Sequence, residues 1–263
     1  MNDAINDKKT GLESLLLTDE GITNPETLVL FGYPKVGKTA AAVRLPGKVL
    51  YIDTENSTKA INKKEHKNVT FVRCNSFSDF RLIVKHLMEM KAKGKQYDFI
   101  VVDTVDELYD KAANELAIMT YNKQKDKNFP LNENAAKIAY GEGFKYKRDA
   151  LKELINKLSE HTPHLVLIAH VSEKNAVAQD GMSTIKEIAL EGKTKEYLSA
   201  LVDAIGLIYR SGENENSISF SSDMIVGGSR IERLANKEFV ISRVTEEGLQ
   251  VDWSEIFLPN VTV

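Results

Sequence analysis

The chain has 263 residues, with 35 Lys and Arg against 38 Asp and Glu and a formal net charge of −3. This length can hold one domain with a large core, and the weak negative charge excludes a global basic field that would draw the protein to nucleic acid or to a membrane. The lone cysteine, Cys74, excludes an internal disulfide, and no apolar stretch reaches the ~20 residues of a membrane span, so we expect a soluble, cytoplasmic protein without a membrane partner.

Short apolar runs alternate with longer segments of helical periodicity, which is typical of a mostly parallel sheet flanked by helices. The predicted strands are 27–31, 48–52, 70–73, 99–102 and 165–169. The predicted helices are 78–93 and 105–121, which flank the fourth strand, and 143–159, which precedes the fifth. Beyond Leu201, β-rich pieces separated by Gly, Ser and Asn turns predict an antiparallel extension. We therefore expect an α/β domain over 25–263, with a β-rich extension from about residue 203, and a tail or small docking helix over 1–24.

The first predicted strand runs into a glycine-rich loop, whose residues are Gly32, Tyr33, Pro34, Lys35, Val36, Gly37, Lys38 and Thr39, followed by Ala40 in a helix-forming run. A chance turn could match this G-x-x-x-x-G-K-T pattern, but its position between a strand and a helix indicates a phosphate-binding loop. Glycines let the backbone approach a triphosphate, and the helix N-terminus favours anions. We expect residues 32–40 to bind ATP, with Lys38 on the terminal phosphates and the Thr39 hydroxyl on Mg²⁺.

Asp103 follows four apolar residues at the end of the predicted strand 99–102. This pattern fits the Walker B element, whose carboxylate holds Mg²⁺ directly or through a bound water. A helix N-cap at Asp103 or Thr104 is the alternative, and the phosphate loop upstream favours the metal role. Because Thr104 occupies the next position, where many loaders and helicases carry a glutamate, the catalytic base has to come from elsewhere.

Glu55 is the predicted base, because it comes just after the strand 48–52. We expect this strand to end beside the first one, so that Glu55 faces the terminal phosphate and orients the attacking water. Strand alternation assigns Asp53 to a turn cap or a supporting contact. In the alternative that stays open, both acids merely cap a helix that begins near Ser57.

Four motifs together, GYPKVGKT, YIDTEN, FIVVDTV and LVLIAHVSEK, resemble the RecA-like core of P-loop ATPases. More narrowly, GYPKVGKT, LPGKVLYIDTE, IAHV and GGSRIERL resemble small phage-type RecA-core proteins with AAA domains, some of which are single-strand annealing proteins. The resemblance covers approximately residues 27–243. It implies a Mg²⁺-dependent, DNA-stimulated ATPase that forms a homo-oligomeric ring or filament, with single-stranded DNA and a single-strand-binding protein as partners.

The resemblance also assigns a γ-phosphate sensor to His170, at the end of the predicted strand 165–169. Recombinases of this type commonly have an amide here, so histidine departs from their pattern, and a hydrogen-bonded core histidine is the alternative. Residues 171–194 then correspond to a polar loop that holds DNA. This loop lacks aromatic residues for base stacking and offers three cations for phosphate contact, Lys174, Lys186 and Lys193.

Two further basic features could serve nucleic acid or a neighbouring subunit. The densest basic and aromatic cluster is Lys145, Tyr146, Lys147 and Arg148, and a second is Lys123, Lys125 and Lys127, although charge runs on helices are usually solvated faces. By the resemblance, Lys237 matches the residue that reaches the nucleotide bound to the next subunit, with Arg230 and Arg233 as second choices. Surface charges on a β-hairpin are the alternative.

The sequence thus predicts a RecA-like ATPase that acts on single-stranded DNA in phage or mobile-element recombination, by annealing or strand pairing. The alternative is a nucleotide-switched replication or helicase-loading adaptor with slight hydrolysis and little DNA affinity. The absence of glutamate after Asp103 argues against the usual loaders, and the modest basic content argues against a strong DNA binder. A small-molecule kinase would need an arginine-rich lid, for which no segment stands out.

Overall fold

The computed structural model describes residues 23–178, 181–221 and 227–259. Within these ranges eleven strands form one sheet. Their bounds are β1 (Thr27–Gly32), β2 (Val49–Asp53), β3 (Val69–Arg73), β4 (Phe99–Asp103), β5 (His164–Ala178), β6 (Gly181–Ile188), β7 (Ala204–Arg210), β8 (Glu215–Ser219), β9 (Gly228–Ser229), β10 (Glu238–Thr245) and β11 (Gly248–Val251). The predicted N-terminal tail lies outside the described residues except for positions 23 and 24.

Helices cover the sheet. They are α1 (Lys38–Ala42), α2 (Phe77–Ala92), α3 (Val105–Leu108), α4 (Asn114–Lys125), α5 (Glu142–Ser159) and α6 (Lys193–Leu201). A π-helical turn, Tyr109–Ala113, joins α3 to α4, so the predicted helix 105–121 is one helical stretch with a local change of pitch. Ser76 caps α2 by accepting a hydrogen bond from the Asp79 N–H, which satisfies one of the free donors of the first turn.

The strand order across the sheet is β11-β10-β8-β7-β1-β5-β4-β2-β3, with β6 paired to β5 and β9 to β7. The strands from β3 through β7 in this order are parallel, whereas β8, β10 and β11 are antiparallel to their neighbours. The predicted fold class, a mostly parallel α/β sheet with a C-terminal antiparallel region, is therefore confirmed. Since β7 is parallel to β1, the antiparallel part begins with β8.

Two predictions about strands are wrong. β2 does not lie beside β1, because β4 and β5 are inserted between them. The expected loop 171–194 is instead largely a β-hairpin, in which β5 continues to Ala178 and pairs with the antiparallel β6. Its polar sequence conceals this strand because the hairpin projects beyond the parallel sheet, where burial on both faces no longer requires a continuous apolar run.

The core divides into one apolar layer on each face of the sheet. Along β1, Leu28 and Leu30 point into one layer and Val29 and Phe31 into the other, and all four are fully buried. Trp253, near the C-terminal end of the described chain, packs in the first layer and donates from Nε1 to the Ala41 carbonyl oxygen at 3.0 Å. This contact fixes α1, and with it the loop that precedes α1, against the sheet.

Candidate active site

The glycine-rich loop connects the carboxyl end of β1 to α1. A Cβ atom on Gly32 would lie 2.5 Å from the Ile208 carbonyl oxygen in β7, so only glycine lets the loop leave the sheet at this point. Gly37 has φ = 99°, a left-handed conformation that side chains rarely adopt. Gly32 thus meets a steric requirement set by β7 and Gly37 one set by the loop's own backbone. The spacing of the motif is local, so the motif could be recognised from sequence.

Lys38 lies within the curve of this loop and is only 7% exposed. Its Nζ donates hydrogen bonds to the carbonyl oxygens of Gly32 at 2.8 Å and Tyr33 at 2.9 Å. Burial lowers the pKa of the ammonium group, against the attraction of nearby carboxylates, of which Asp103 contributes most. The lysine is thus held at the loop by neutral acceptors that an anionic phosphate can replace.

Asp103 accepts hydrogen bonds from three hydroxyl groups on one oxygen. Its Oδ2 lies 2.8 Å from Thr39 Oγ1, 2.5 Å from the Tyr51 hydroxyl and 2.8 Å from Ser57 Oγ. Tyr51 is fully buried, and burial raises the pKa of its phenol well above the usual value, so it remains a neutral donor. Thr39 and Asp103 therefore offer adjacent hard oxygen ligands of the kind Mg²⁺ prefers, which fits the predicted metal role.

The N-cap alternative for this position applies to Thr104 rather than to Asp103. Thr104 Oγ1 accepts the Glu107 N–H at 3.4 Å and caps α3. The Thr104 N–H donates to Thr54 Oγ1 at 2.6 Å, and the Thr54 hydroxyl donates to the Thr104 carbonyl oxygen at 2.9 Å. This reciprocal pair ties the end of β4 to the turn after β2.

Asp53 caps that turn, as strand alternation predicts. Its Oδ2 accepts the Thr58 N–H and hydroxyl at 3.1 and 2.6 Å, and its Oδ1 accepts the N–H groups of Ser57 and Glu55 at 3.0 and 3.2 Å. Burial acts to raise the pKa of Asp53, but the hydrogen bonds from Thr58, Ser57 and Glu55 outweigh it and lower the pKa. Asp53 is therefore committed to structure.

Glu55, by contrast, is not a cap, because Asn56 is the N-cap residue of the short helix that follows. Glu55 Oε1 accepts the Thr104 hydroxyl at 3.1 Å and lies 3.5 Å from His170 Nδ1. Burial raises the pKa of the Glu55 carboxyl, and the nearby His170 opposes that shift. Although β2 is not beside β1, Glu55 reaches the site because Asp53 and Asp103 are paired in register at the same edge of the sheet.

His170 lies where β5 leaves the parallel sheet, opposite Gly32 of β1. Its backbone N–H and ring Nδ1 contact the two carboxylate oxygens of Asp106 at 3.1 and 2.5 Å. Sequence reasoning missed Asp106, Tyr51 and Ser57. An acid in the first turn of a helix is a common stabilising feature, so nothing in the local sequence points from Asp106 to His170.

The sequence predicts six residues that contact nucleic acid, and the structure contradicts one of them. Lys147 is fully buried, with Nζ 2.9 Å from Asp110 Oδ1 and 3.9 Å from the centre of the Tyr109 ring. It therefore cannot present its charge to DNA. The other five are Lys145, Lys174 and Lys193, which are exposed, and Arg148 and Lys186, which are half-buried.

The three basic residues that the resemblance offers for contact with a neighbouring subunit differ in their surroundings. Lys237 is exposed in the turn before β10. Arg230 donates to the Ala200 carbonyl oxygen. Arg233 donates to the carbonyl oxygens of Thr23, Glu255 and Ile256 and so ties the two ends of the described chain together, which removes it as a candidate for contact with another subunit.

The parallel sheet, the phosphate loop and the Thr39–Asp103 pair define a P-loop nucleotide-binding protein. The sequence model of the AAA-domain family matches residues 24–238, so the chain belongs to that family. Membership of this family implies a nucleotide-binding core with ATPase activity. No curated protein was found to be similar to the chain. Among the described residues, no helix is long and apolar enough to cross a membrane.

Proposed function

We propose that this protein is a RecA-type ATPase that couples ATP hydrolysis to work on single-stranded DNA in phage or mobile-element recombination. The observation that carries the proposal is the convergence of Lys38, Asp103, Glu55 and His170 at the carboxyl edge of the sheet, where open α/β sheets bind ligands. The residue after Asp103 is Thr104 rather than a glutamate. Glu55 supplies the carboxylate at this position instead, because it accepts a hydrogen bond from the Thr104 hydroxyl.

In this mechanism the loop amides hold the phosphates of ATP, and Lys38 exchanges its two carbonyl acceptors for phosphate oxygens. Thr39 and Asp103 would hold Mg²⁺, which neutralises charge that develops on the phosphates. The hydroxyl groups of Tyr51 and Ser57 keep the Asp103 carboxylate oriented.

Glu55 accepts a hydrogen bond from the attacking water and aligns it with the γ-phosphate. Thr104 holds the Glu55 carboxylate from the side of α3. His170, 3.5 Å from Glu55, contacts the γ-phosphate and so reports whether it is present. Because His170 lies at the base of the hairpin, the presence or absence of the γ-phosphate would alter the position of β5 and β6.

The DNA part of the proposal is supported by the hairpin and by its link to the phosphate loop. The Tyr33 hydroxyl donates to Glu173 in β5, and Lys186 of β6 lies over the Tyr33 ring, 5.6 Å from its centre. A change of the loop on nucleotide binding is therefore transmitted to the hairpin. Lys174 and Lys193, exposed on or next to the hairpin, would contact DNA phosphates.

The proposal includes a homo-oligomer, ring or filament, in which Lys237 reaches the nucleotide of the neighbouring subunit. Its support is the exposure of Lys237, together with the contacts that occupy Arg230 and Arg233. A basic group supplied by a neighbour would stabilise the transition-state charge and make turnover depend on assembly. A single-strand-binding protein would be a further partner on the same DNA.

ATP turnover measured with and without single-stranded DNA tests the proposal. We expect DNA to stimulate turnover, and we expect Lys174→Ala combined with Lys193→Ala to weaken that stimulation without reducing the basal rate. The control, Lys67→Ala, changes an exposed lysine in the turn before β3, away from the hairpin. Turnover that is indifferent to DNA would contradict the recombination role.

That result would favour the second candidate, a nucleotide-switched replication or helicase-loading adaptor with little DNA affinity. The observation in its favour is the burial of Lys147, which removes one cation from the densest basic cluster. In an adaptor, ATP binding would change the hairpin without rapid hydrolysis.

A further inference from the structure

Asp106 holds His170 at two points, which distinguishes the contact from an ordinary surface pair. Pairing between β4 and β5 ends at Asp103 and Ile168, so the backbone N–H of His170 lies beyond the end of β4. The Asp106 carboxylate accepts this N–H at 3.1 Å through Oδ1 and the ring Nδ1–H at 2.5 Å through Oδ2. One side chain thereby fixes both the strand and the imidazole ring that it carries.

The surroundings of the ring favour its protonated form. Asp106 of α3 and Glu55 after β2 both approach Nδ1, at 2.5 and 3.5 Å, while Lys38 of α1 acts in the opposite direction. The hydrogen bond to Asp106 is the main cause that raises the pKa of His170, and the charges of Asp106 and Glu55 add to it against burial and Lys38. Because the carboxylates of Asp106 and Glu55 outweigh the ammonium group of Lys38, the cationic form of the His170 ring is favoured over the neutral form.

The protonation state decides what the ring can do with a phosphate. When Nδ1–H donates to Asp106, the other nitrogen, Nε2, carries a proton only if the ring is cationic. A neutral ring held by Asp106 would turn a lone pair toward an anionic oxygen and repel it. A cationic ring would donate from Nε2, as a side-chain amide can do without any charge.

We propose that Asp106 is a positioning residue that keeps His170 oriented and protonated, so that its Nε2–H can donate to the γ-phosphate of ATP. This inference rests on the proposed ATPase function. It explains how a histidine can stand where the RecA-type pattern has an amide, because the Asp106–His170 pair supplies the donor that an amide would provide alone.

The direct test is the protonation of His170, followed by NMR in the full chain labelled at histidine Cε1. The chain has five histidines, and the His170→Gln variant identifies the His170 signal. Removal of the partner charge in Asp106→Asn is expected to lower the pKa of His170. The control Asp126→Asn changes an exposed aspartate at the end of α4, where asparagine suits the left-handed backbone (φ = 51°), and should leave the signal unchanged.

A second NMR arm tests the contact with phosphate. Addition of Mg²⁺ and the slowly hydrolysed analogue ATPγS should shift the His170 signal in the native chain. An unchanged His170 pKa in Asp106→Asn, or an unshifted signal in the presence of ATPγS, would overturn the proposal.

Kinetics provide a readout that a purely structural role would not change. The turnover of Asp106→Asn relative to the native chain should approach one at low pH, where His170 is protonated without help, and should fall as pH rises through the lowered His170 pKa. In the His170→Gln background, Asp106→Asn should have no pH-dependent effect. A native chain that binds ATPγS but does not hydrolyse ATP would refute the proposed ATPase and leave the NMR result to decide on Asp106.

Discussion

Tyr51→Phe isolates one hydrogen bond at the centre of the proposed metal site. Tyr51 is fully buried, and its hydroxyl donates to the Asp103 carboxylate at 2.5 Å. Phenylalanine keeps the ring, so the substitution removes a hydroxyl group without opening a large cavity. Asp103 then loses one of its three hydroxyl donors and keeps those of Thr39 and Ser57.

A hydrogen bond to a charged group contributes about 1.5–3 kcal/mol. For a chain of this size we expect Tyr51→Phe to lower the free energy of unfolding by about that amount and Tm by roughly 3–12 °C. Chemical denaturation without nucleotide measures the first quantity and calorimetry the second. The control is Tyr140→Phe, because the Tyr140 side chain is completely exposed and its hydroxyl should contribute little. Equal stability of the two variants would refute the importance of the Tyr51–Asp103 bond.

Three further substitutions or treatments test other parts of the structure. Gly32→Ala places a Cβ 2.5 Å from the Ile208 carbonyl oxygen, which should lower the free energy of unfolding by about 1–3 kcal/mol and weaken ATP binding in a fluorescence titration. In the control, Gly212→Ala, the nearest neighbour of the added Cβ is 3.7 Å away, so stability and ATP binding should both be unchanged. Lys147→Met should lower the free energy of unfolding by about 1–3 kcal/mol in urea, because its half-exposed partner carboxylates lose a buried cation. The same variant should leave DNA affinity unchanged. Weaker DNA binding by the folded variant would show that Lys147 contacts DNA after all. Burial raises the pKa of Cys74 to about 12, so the native chain should resist a thiol reagent that labels the denatured chain at once, and fast labelling at neutral pH would show that the thiol is accessible.

The phosphate loop and Asp103 could be identified from sequence because their chemistry depends on the local chain. Gly37 meets a conformational requirement of the loop itself, the spacing from Gly32 to Lys38 lies within one short segment, and Asp103 ends an apolar strand. The same reasoning separated Asp53, a cap, from Glu55, which points to the site. The prediction for Glu55 relied on a wrong strand neighbour and still reached the right edge, because all parallel strands of the sheet end there.

The contacts that sequence could not reveal join residues far apart in the chain. Asp106 meets His170 only because β4 and β5 are neighbours and α3 begins at their ends. The sequence alone identifies Tyr51 only as a core aromatic residue, whereas the structure shows that its hydroxyl donates a hydrogen bond to Asp103. Lys147 reads as part of a basic surface, yet the packing of α5 against the π-helical turn buries it.

The central claim is that Glu55 aligns the water that attacks ATP bound to the phosphate loop. Parallel measurement of ATP affinity and single-turnover hydrolysis in the native chain and Glu55→Gln tests it most directly, with Glu247→Gln, an exposed glutamate in the turn between β10 and β11, as the control. We expect Glu55→Gln to keep ATP affinity and lose about 10²–10⁴-fold in the rate of hydrolysis, because glutamine fills the same space without a base. Hydrolysis by Glu55→Gln at the native rate would contradict the account.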